Sequence, residues 1–375
     1  MGFQASSGNN TGPRFQAQMG NGSVLDKVPA DMVHLVNPYW SRFPPMDPLM
    51  NDILGVFSVV IMIAACCGNA VVVYIFGGTK SLRTPANLLV LNLAVSDLCM
   101  MVSQAPVMLL NFYYQTWVLG PLWCDIYAAC GSMFGCVSIW SMCMIACDRY
   151  NVIVKGVAGQ PMTVKLATLK IIAIWLFAAF WTIMPLVGWS SYAPEGNLTA
   201  CSIDYMTRSW KTRSYIITYS SLVYYTPLSL ICYSYWFIIA AVSAHERAMR
   251  EQAKKMNVKS LRSSEDCGKS AEVKLAKVAL TTISLWFMAW TPYMVICYMG
   301  LFRDDSLTPL TTIWGATFAK TSAVYNPIVY GISHPKYRIV LKQKCPFCII
   351  GSPEEDKPDA AAGDAQTASE AETKA

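Results

Sequence analysis

Residues 53–76 read ILGVFSVVIMIAACCGNAVVVYIF, and no charged side chain occurs among them. A helix needs about 20 mainly apolar residues to cross the hydrocarbon core of a bilayer, where no water satisfies free backbone groups. This stretch therefore predicts a membrane-spanning helix. Only 14% of the 375 residues are charged, whereas soluble globular proteins usually carry about 25%. Lipid is consequently the predicted solvent for most of the chain.

Six more apolar stretches of similar length follow the first. The predicted fold class is therefore an all-α membrane protein, a seven-transmembrane helix bundle with a short amphipathic interfacial helix after the seventh span. The predicted spans are Ile53–Phe76, Ala86–Tyr113, Trp123–Val154, Leu166–Trp189, Tyr215–Val242, Leu275–Leu301 and Leu307–Ile332. The predicted domains are residues 1–50 as an extracellular tail, 51–333 as the receptor domain, 334–348 as the interfacial helix with a palmitoylation site, and 349–375 as a disordered cytoplasmic tail.

The basic residues between the spans predict the orientation of the chain in the plasma membrane. Lys and Arg number 7 on the N-terminal side and 21 on the opposite side, so the N-terminus is predicted to be extracellular. Glycosylation sequons at Asn9, Asn21 and Asn197 all fall on that outer side. The basic residues are divided among short loops, which favours membrane lipid and protein partners and argues against nucleic acid.

Four of the 14 cysteines stand apart from those inside apolar spans. Cys124 opens the third span and Cys201 lies midway along the second outer loop, both in an oxidising compartment, so they are predicted to form a disulfide. Cys345 and Cys348 follow the seventh span. They lack the second pair or nearby histidine of a zinc or redox site, and their position beside the membrane predicts palmitoylation.

Ionisable residues inside the spans are functional candidates, because a charge at the bilayer centre costs about 2.5–3.5 kcal/mol even on insertion scales. They are Asp97 in the second span, the pair Asp148 and Arg149 at the inner end of the third, and Lys320 in the seventh. Lys320 follows Thr308 by 12 residues, about 18 Å along a helix, which places it near the middle of the bilayer. A lysine kept neutral is one interpretation. A nucleophilic amine that forms a Schiff base with a carbonyl compound explains the depth better.

A protonated imine on Lys320 would need an anion nearby. The third span has Tyr127 near its outer end and no acid facing inward at that depth, and Asp97 lies about three turns toward the cytosol. Glu195 remains, six residues before Cys201, so the predicted disulfide would hold it across the cavity. From the residues alone, Glu195 is either this counter-ion or a solvated loop acid.

The residues around this depth are compatible with a ligand cavity. Trp290 lies 11 residues from the outer end of the sixth span, about 16 Å down, at the depth of Lys320. Gly131 and Gly135 share one face of the third helix, with Tyr127 one turn above them. Small residues at this spacing indicate either room for a ligand or close helix packing.

Five short motifs in order resemble the signatures of the rhodopsin-like class of G-protein-coupled receptors, and the resemblance covers residues 50–345. They are Gly68-Asn69, Asn92-Leu-Ala-Val-Ser-Asp97, Asp148-Arg149-Tyr150, Trp290-Thr-Pro292 and Asn326-Pro-Ile-Val-Tyr330. The resemblance implies a receptor that activates a heterotrimeric G protein. It also assigns Asn69 and Asp97 to an internal polar site.

Phe318-Ala-Lys320-Thr-Ser and Ser202-Ile-Asp204-Tyr205 resemble, within that class, the retinal-attachment segment and the retinal-covering loop of opsins. This implies retinal as the cofactor, 11-cis in the dark and in its plain or 3-hydroxyretinal form, bound to Lys320 as a Schiff base. It also implies that Glu195 is the counter-ion. The implied pocket consists of Tyr127, Gly131, Ser132, Gly135, Tyr205, Trp286, Trp290, Tyr293 and Ala316.

Tyr127 occupies the place where vertebrate visual opsins carry a glutamate, and His334-Pro335-Lys336 resembles the invertebrate branch. The resemblance is therefore to an arthropod visual opsin. It implies a bistable photoreceptor in a rhabdomeric membrane, coupled to a Gq-type protein and phospholipase C, phosphorylated by a receptor kinase and bound by arrestin. The implied coupling residues are Asp148, Arg149, Tyr150, Tyr235, Glu272, Asn326, Pro327, Tyr330, His334 and Lys336.

Three other functions are weaker interpretations of the same sequence. A retinal photoisomerase would use the same lysine without signalling, but the coupling motifs and the basic third inner loop favour a receptor over an enzyme. A receptor for a diffusible ligand would not need Lys320. A light-driven pump would require a carboxylate on the third span to relay protons.

Overall fold

The computed structural model describes residues 22–255, 264–302 and 306–345. Within these residues, six helices are long and apolar enough to cross a membrane. The seventh span consists of two consecutive helices, and a short helix follows it. The predicted seven-helix bundle with its interfacial helix is confirmed. Spans 1 to 7 are Pro48–Gly78, Pro85–Tyr114, Gly120–Tyr150, Val164–Leu186, Trp210–Ser220 with Thr226–Lys255, Ser264–Phe302, and Pro309–Lys320 with Ser322–Ser333; the interfacial helix is Pro335–Lys344.

Side-chain caps and prolines set where several spans begin. Asp47, Thr84 and Thr308 each precede a proline, and each accepts a hydrogen bond from a backbone N–H of the first helical turn. Such a cap satisfies a backbone N–H that has no partner within the helix. Proline at the first position lacks an N–H that would have no such partner either, so no helical hydrogen bond is lost. The prediction that span 7 begins near Thr308 therefore has a local physical cause.

Span 7 is interrupted one residue after Lys320, at Thr321. Farther along, Pro327 has no N–H to donate to the carbonyl of Ala323 four residues earlier. The side-chain amide of Asn69 donates to that carbonyl over 2.8 Å, and to the carbonyl of Ala65 in its own helix over 2.9 Å. Asn69 thus ties span 1 to span 7 at the place where proline leaves the backbone unsatisfied.

Residues 192–203 form a hairpin over the outer end of the bundle. Tyr192–Pro194 pairs antiparallel with Cys201–Ile203, and Pro194 lies opposite Cys201. Cys201 is bonded to Cys124 at the start of span 3, which confirms the predicted disulfide. The hairpin is thereby fixed to span 3 directly above the interior of the bundle.

The N-terminal segment 22–47 is folded rather than a plain polar tail. It contains the short turns Val24–Lys27, Val33–Leu35 and Pro38–Arg42. Trp40 is 1% exposed, and the hydroxyl of Tyr39 donates to the carbonyl of Leu307 between spans 6 and 7. The sequence analysis did not anticipate this packing, because such short turns leave no apolar period to detect.

The interfacial helix packs against the inner end of span 1. The ring of Tyr337 stacks on Phe76 with centroids 5.4 Å apart. His334 caps the helix, since its Nδ1 accepts a hydrogen bond from the backbone N–H of Tyr337. Lys344 at the other end donates to the hydroxyl of Thr79.

Candidate functional site

A cavity lies beneath the hairpin, between spans 2, 3, 5, 6 and 7. Most of its lining is apolar, as is typical of sites that bind small molecules. Span 3, the hairpin, span 6 and span 7 all contribute predicted residues to it. Those residues are Gly131, Ser132, Gly135, Glu195, Trp286, Trp290, Tyr293, Ala316 and Lys320.

Lys320 ends the outer helix of span 7 and lines the cavity. Its Nζ donates to the carbonyl of Ala316 over 3.3 Å and lies 5.7 Å from the ring centroid of Tyr127. Glu195 is the acid whose charge acts on this amine. An amine in these surroundings is available for covalent attachment of a carbonyl compound.

Glu195 lies at the turn of the hairpin and is 3% exposed. Its backbone N–H donates to the carbonyl of Ala200, and its carbonyl accepts from the N–H of Leu198. The carboxylate lines the cavity, and its Oε2 has no hydrogen-bond partner among the described residues. The structure therefore does not support the interpretation of Glu195 as a solvated loop acid.

Burial raises the pKa of Glu195 to about 7. The positive charge of Lys320 and the neighbouring hydroxyls of Ser202 and Tyr293 act in the opposite direction. Burial disfavours a charged carboxylate, whereas a neighbouring cation favours it. Any positive charge held at Lys320 would thus stabilise the ionised form of Glu195.

Two residues of the implied pocket lie behind the lining. Tyr127 is buried beside Lys320, and its hydroxyl has no partner among the described residues. The ring of Tyr205 packs against Gly300 of span 6, where a methyl group would come within 2.6 Å of it. Tyr205 is buried just after the second strand, near Glu195, and its role in the pocket stays a prediction.

Both interpretations of the glycine pair on span 3 apply. A Cβ at Gly135 would lie 2.9 Å from the ring of Trp290, and one at Gly131 would lie 3.3 Å from the amide of Gln104. Each glycine therefore makes room for a neighbouring side chain, and each also lines the cavity. Trp290 in turn stacks on Trp286 and donates to the hydroxyl of Ser322.

Gln104 is a cavity residue that the sequence analysis missed. It is 2% exposed, and its side-chain amide donates to the carbonyl of Tyr127 over 2.6 Å. It follows Asp97 by seven residues, two helical turns toward the outside on the same face. That spacing was the available signal. Ser202, Tyr219 and Tyr224 are further polar lining residues that were not predicted.

The internal polar site joins three spans. Asp97 of span 2 accepts hydrogen bonds of 2.7 Å from the hydroxyl of Ser138 on span 3 and from the amide of Asn326 on span 7. Asp97 and Asn326 are 1% and 2% exposed, so these partners satisfy a carboxyl group that water does not reach. The two motifs that supplied Asp97 and Asn326 therefore meet in space.

The end of the bundle opposite the hairpin, which is predicted to be cytosolic, holds several of the predicted coupling residues. Arg149 forms an ion pair with Asp148, and both side chains are buried. Tyr235 of span 5 donates to the carbonyl of Ala276 on span 6, and Tyr150 packs near Phe237. The side chain of Glu272, the other predicted partner of Arg149, lies outside the described residues.

His334 and Tyr330 have packing roles beside that cytosolic end. His334 is 5% exposed, and burial lowers its pKa to about 4. Its ring and that of Tyr330 both lie against Phe76. Lys336 is exposed, as a residue that contacts a cytosolic partner would be.

Only two of the predicted modification sites fall on described residues. Asn197 is 3% exposed, and its amide donates to Asn51 and to Thr199. This arrangement leaves no room for a glycan at Asn197, so that sequon is not supported. Cys345 is half-buried after the interfacial helix. The remaining sites, Asn9, Asn21 and Cys348, lie outside the described residues.

The known proteins described next, to which this chain is similar, are receptors of one family. Residues 68–330 match the family described as 7 transmembrane receptor (rhodopsin family). The chain is 79% identical to Opsin Rh2 of Drosophila melanogaster over 367 residues, which cover 98% of this chain and 96% of that opsin. It is 65% identical to Opsin Rh1 of the same species, with 97% of each chain covered. The crystal structure of squid rhodopsin matches with a TM-score of 0.79 at 35% identity, covering 86% of this chain and 97% of that one.

Proposed function

The chain belongs to the arthropod visual opsins of the rhodopsin receptor family, and we propose that it detects light through retinal bound covalently to Lys320. As an opsin it is a multi-pass photoreceptor that signals through a G protein, and it is not an enzyme. The observation that carries the attachment is the amine of Lys320 in an apolar cavity, with Glu195 as the acid acting on it.

The cavity residues fit this cofactor. Glu195 Oε2 and the Tyr127 hydroxyl are buried polar atoms without a partner among the described residues, and both belong to the surroundings of Lys320. The stacked rings of Trp286 and Trp290 give the cavity a flat apolar wall. Retinal bound as a protonated Schiff base, 11-cis in the dark, would supply light absorption and a light-driven change of shape.

Each of the chain's own residues has a defined task in this proposal. Lys320 provides the attachment, and Glu195 neutralises the positive charge held there. Trp290 connects the cavity to span 7 through its hydrogen bond to Ser322. Asp97 and Asn326 lie on the same route toward the cytosol. A change in the cavity thus has a continuous packed path to the coupling residues.

Signalling is proposed to release span 6 at the cytosolic end. In the dark, Arg149 is held by Asp148 and, we infer, by Glu272. Releasing span 6 would open a groove for the C-terminal helix of a Gq-type protein, with Tyr235 and Tyr330 stabilising the open form. We further propose bistability, because Tyr127 stands where a vertebrate pigment has its glutamate. Whether the retinal is plain or 3-hydroxylated does not alter these roles.

The remaining proposals concern the ends of the chain and its location. Palmitate on Cys345 and Cys348 would anchor the interfacial helix, and glycans on Asn9 and Asn21 would lie outside the cell. Receptor-kinase phosphorylation of residues 349–375 would create acidic sites for arrestin. The location is proposed to be the plasma membrane of a rhabdomeric photoreceptor, with the N-terminus extracellular.

Replacing the attachment lysine tests the central proposal. Lys320→Ala should give no visible pigment with 11-cis retinal, because the cavity then lacks an amine. A preformed imine of retinal with a small alkylamine should restore absorbance to this variant if the cavity itself is intact. Lys170→Ala, which removes a lysine of span 4 outside the cavity, is the matched control. Normal pigment from Lys320→Ala with retinal alone would overturn the proposal.

A further inference from the structure

The tip of the hairpin, residues 195–200, is held from outside by the N-terminal segment. A Cβ at Gly196 would lie 2.8 Å from the ring of Trp40, so the indole rests directly on the Gly196 backbone. Trp40 is 1% exposed and belongs to the same apolar cluster as Leu198 of the tip. Glu195, the neighbour of Gly196, faces the opposite side and lines the cavity. The tip therefore has the indole on its outer face and the carboxylate on its inner face.

Further contacts fix both the indole and the tip. Tyr39 packs edge-on against Trp40 with ring centroids 4.8 Å apart, and its hydroxyl donates to the carbonyl of Leu307. On the other side of the tip, the amide of Asn197 donates to Asn51 of span 1 over 3.2 Å. The hairpin turn thus contacts both the N-terminal segment and span 1, and the N-terminal segment is bonded in turn to the loop between spans 6 and 7.

We propose that Trp40 is a positioning residue for Glu195: it holds the hairpin tip in place and keeps bulk water away from the carboxylate. The inference rests on the proposed role of Glu195 as counter-ion. Without the ring, the tip has space to lift and water has a path to its outer face. An ion pair weakens as its separation and the local dielectric increase. The charge held at Lys320 would then be less well neutralised.

The main test follows the loss of visible absorbance as the pH of the purified pigment is raised. In Trp40→Ala, the midpoint of this loss should fall by about one pH unit, a tenfold change in the protonation equilibrium. Trp40→Phe keeps an aromatic ring on Gly196, so its midpoint should lie close to that of the parent. Trp210→Ala removes an indole that is 78% exposed at the outer end of span 5, and it should leave the midpoint unchanged.

A double variant shows whether the effect passes through Glu195. Glu195→Gln alone should lower the midpoint, and adding Trp40→Ala should then produce no further change. A shift of equal size in both backgrounds would show that Trp40 acts independently of Glu195 and would overturn the inference. If Glu195→Gln itself changes nothing, the proposed counter-ion fails. If only the Trp40 variants change nothing, the counter-ion stands and the positioning role fails.

A second measurement uses the opsin without retinal. The backbone amides of residues 195–201 should exchange with deuterium about tenfold faster in Trp40→Ala, because the turn bonded between Glu195 and Leu198 opens more often. Should Trp40→Ala fail to fold, Gly196→Ala inserts a methyl group against the intact ring and should displace the tip in the same way. Adding Trp40→Leu to Gly196→Ala should relieve that displacement. Parental exchange in Trp40→Ala or in Gly196→Ala alone would contradict the inference.

Discussion

Glu195 carries a carboxylate into a place where carboxylates are costly, and no basic side chain of the described residues forms an ion pair with it. Tight pairing with Lys320 would leave that amine fixed as an ammonium. Because the Glu195 carboxylate does not pair directly with Lys320, the amine can react. The carboxylate nevertheless lies close enough to interact with a positive charge on Lys320. The residue-level arrangement is therefore suited to a cation that exists only when a cofactor is attached.

Removing the Glu195 charge should convert the pigment to an ultraviolet-absorbing form at neutral pH. In Glu195→Gln an imine at Lys320 loses its anion, and its neutral form becomes the favoured one. Spectra of the purified pigment between pH 5 and 9 would measure this change. Glu246→Gln, in the cytosolic extension of span 5, is a control that should retain the parental spectrum. A visible band in Glu195→Gln that persists to alkaline pH would exclude Glu195 as the counter-ion.

The same residue predicts how the stability of retinal-free opsin depends on pH. Burial raises the pKa of Glu195 to about 7, so the folded chain retains a proton that the unfolded chain releases near pH 4.5. The associated stability is fully present below pH 4.5 and is lost as the pH rises through 7, by up to about 1.4 kcal/mol per pH unit. The stability of the parent relative to Glu195→Gln should therefore fall between pH 5 and pH 8, which melting curves of both proteins would measure. A difference that stays constant with pH would contradict this linkage.

Some site residues could be inferred from the sequence because a charged side chain inside the bilayer costs free energy and therefore indicates a function. Lys320 is such a residue, since its distance from Thr308 places it beyond the reach of either membrane surface. Gln104 is an uncharged polar residue that a membrane span tolerates more easily than a charge, and only the folded structure brings it to the cavity.

At the scale of elements, the close approach of spans 1 and 7 depends on Gly68. A Cβ at this position would lie 2.8 Å from Cβ of Pro327, closer than side chains tolerate. Gly77 is a glycine of the same helix with nothing within 4 Å of such a Cβ. The two glycines therefore have different roles in one helix.

Gly68→Ala should destabilise the opsin by about 1–3 kcal/mol, because it overpacks the contact with Pro327. It should also disturb the bond from Asn69 to the carbonyl of Ala323, one residue along span 1. Gly77→Ala should have little effect in the same melting experiment. Equal melting temperatures for the two variants would show that spans 1 and 7 separate more easily than their contacts indicate.

The spans themselves could be predicted from apolar length alone, since the bilayer imposes that length on any helix crossing it. The break of span 7 at Thr321 and the irregular turn Ser221–Tyr225 in span 5 could not. Both are local changes of backbone hydrogen bonding within a continuous apolar stretch. The folded N-terminal turns were missed for a different reason: they are too short to show an apolar period, and their burial depends on loops far away in sequence.

At the scale of the whole molecule, different parts of the chain are predicted to activate the G protein and to bind arrestin, which ends signalling. A chain that ends after Ile350 should form pigment and activate the G protein normally, but bind arrestin more weakly in the light. The removed residues include hydroxyl groups among acids, and phosphate on them would pair with a basic surface. Replacing Ser352, Thr367, Ser369 and Thr373 with alanine in the full chain is the matched control.

Arrestin recruitment by the truncated chain is measured in illuminated membranes. Recruitment equal to that of the full chain would mean that residues 351–375 only solubilise the C-terminus. Weak recruitment by the truncated chain with normal recruitment by the four-alanine variant would assign the effect to the length or acidity of the tail rather than to phosphate.

The bond between Tyr39 and Leu307 joins residues 268 positions apart in the chain. During translation, residues 22–47 leave the ribosome long before the loop between spans 6 and 7 does. Trp40 likewise has no hairpin beneath it until Gly196 has been synthesised. The outer cap is therefore among the last structures to close, and its closure coincides with the insertion of span 7. An antibody against residues 22–47 would recognise newly made chains and lose its epitope once the receptor is complete.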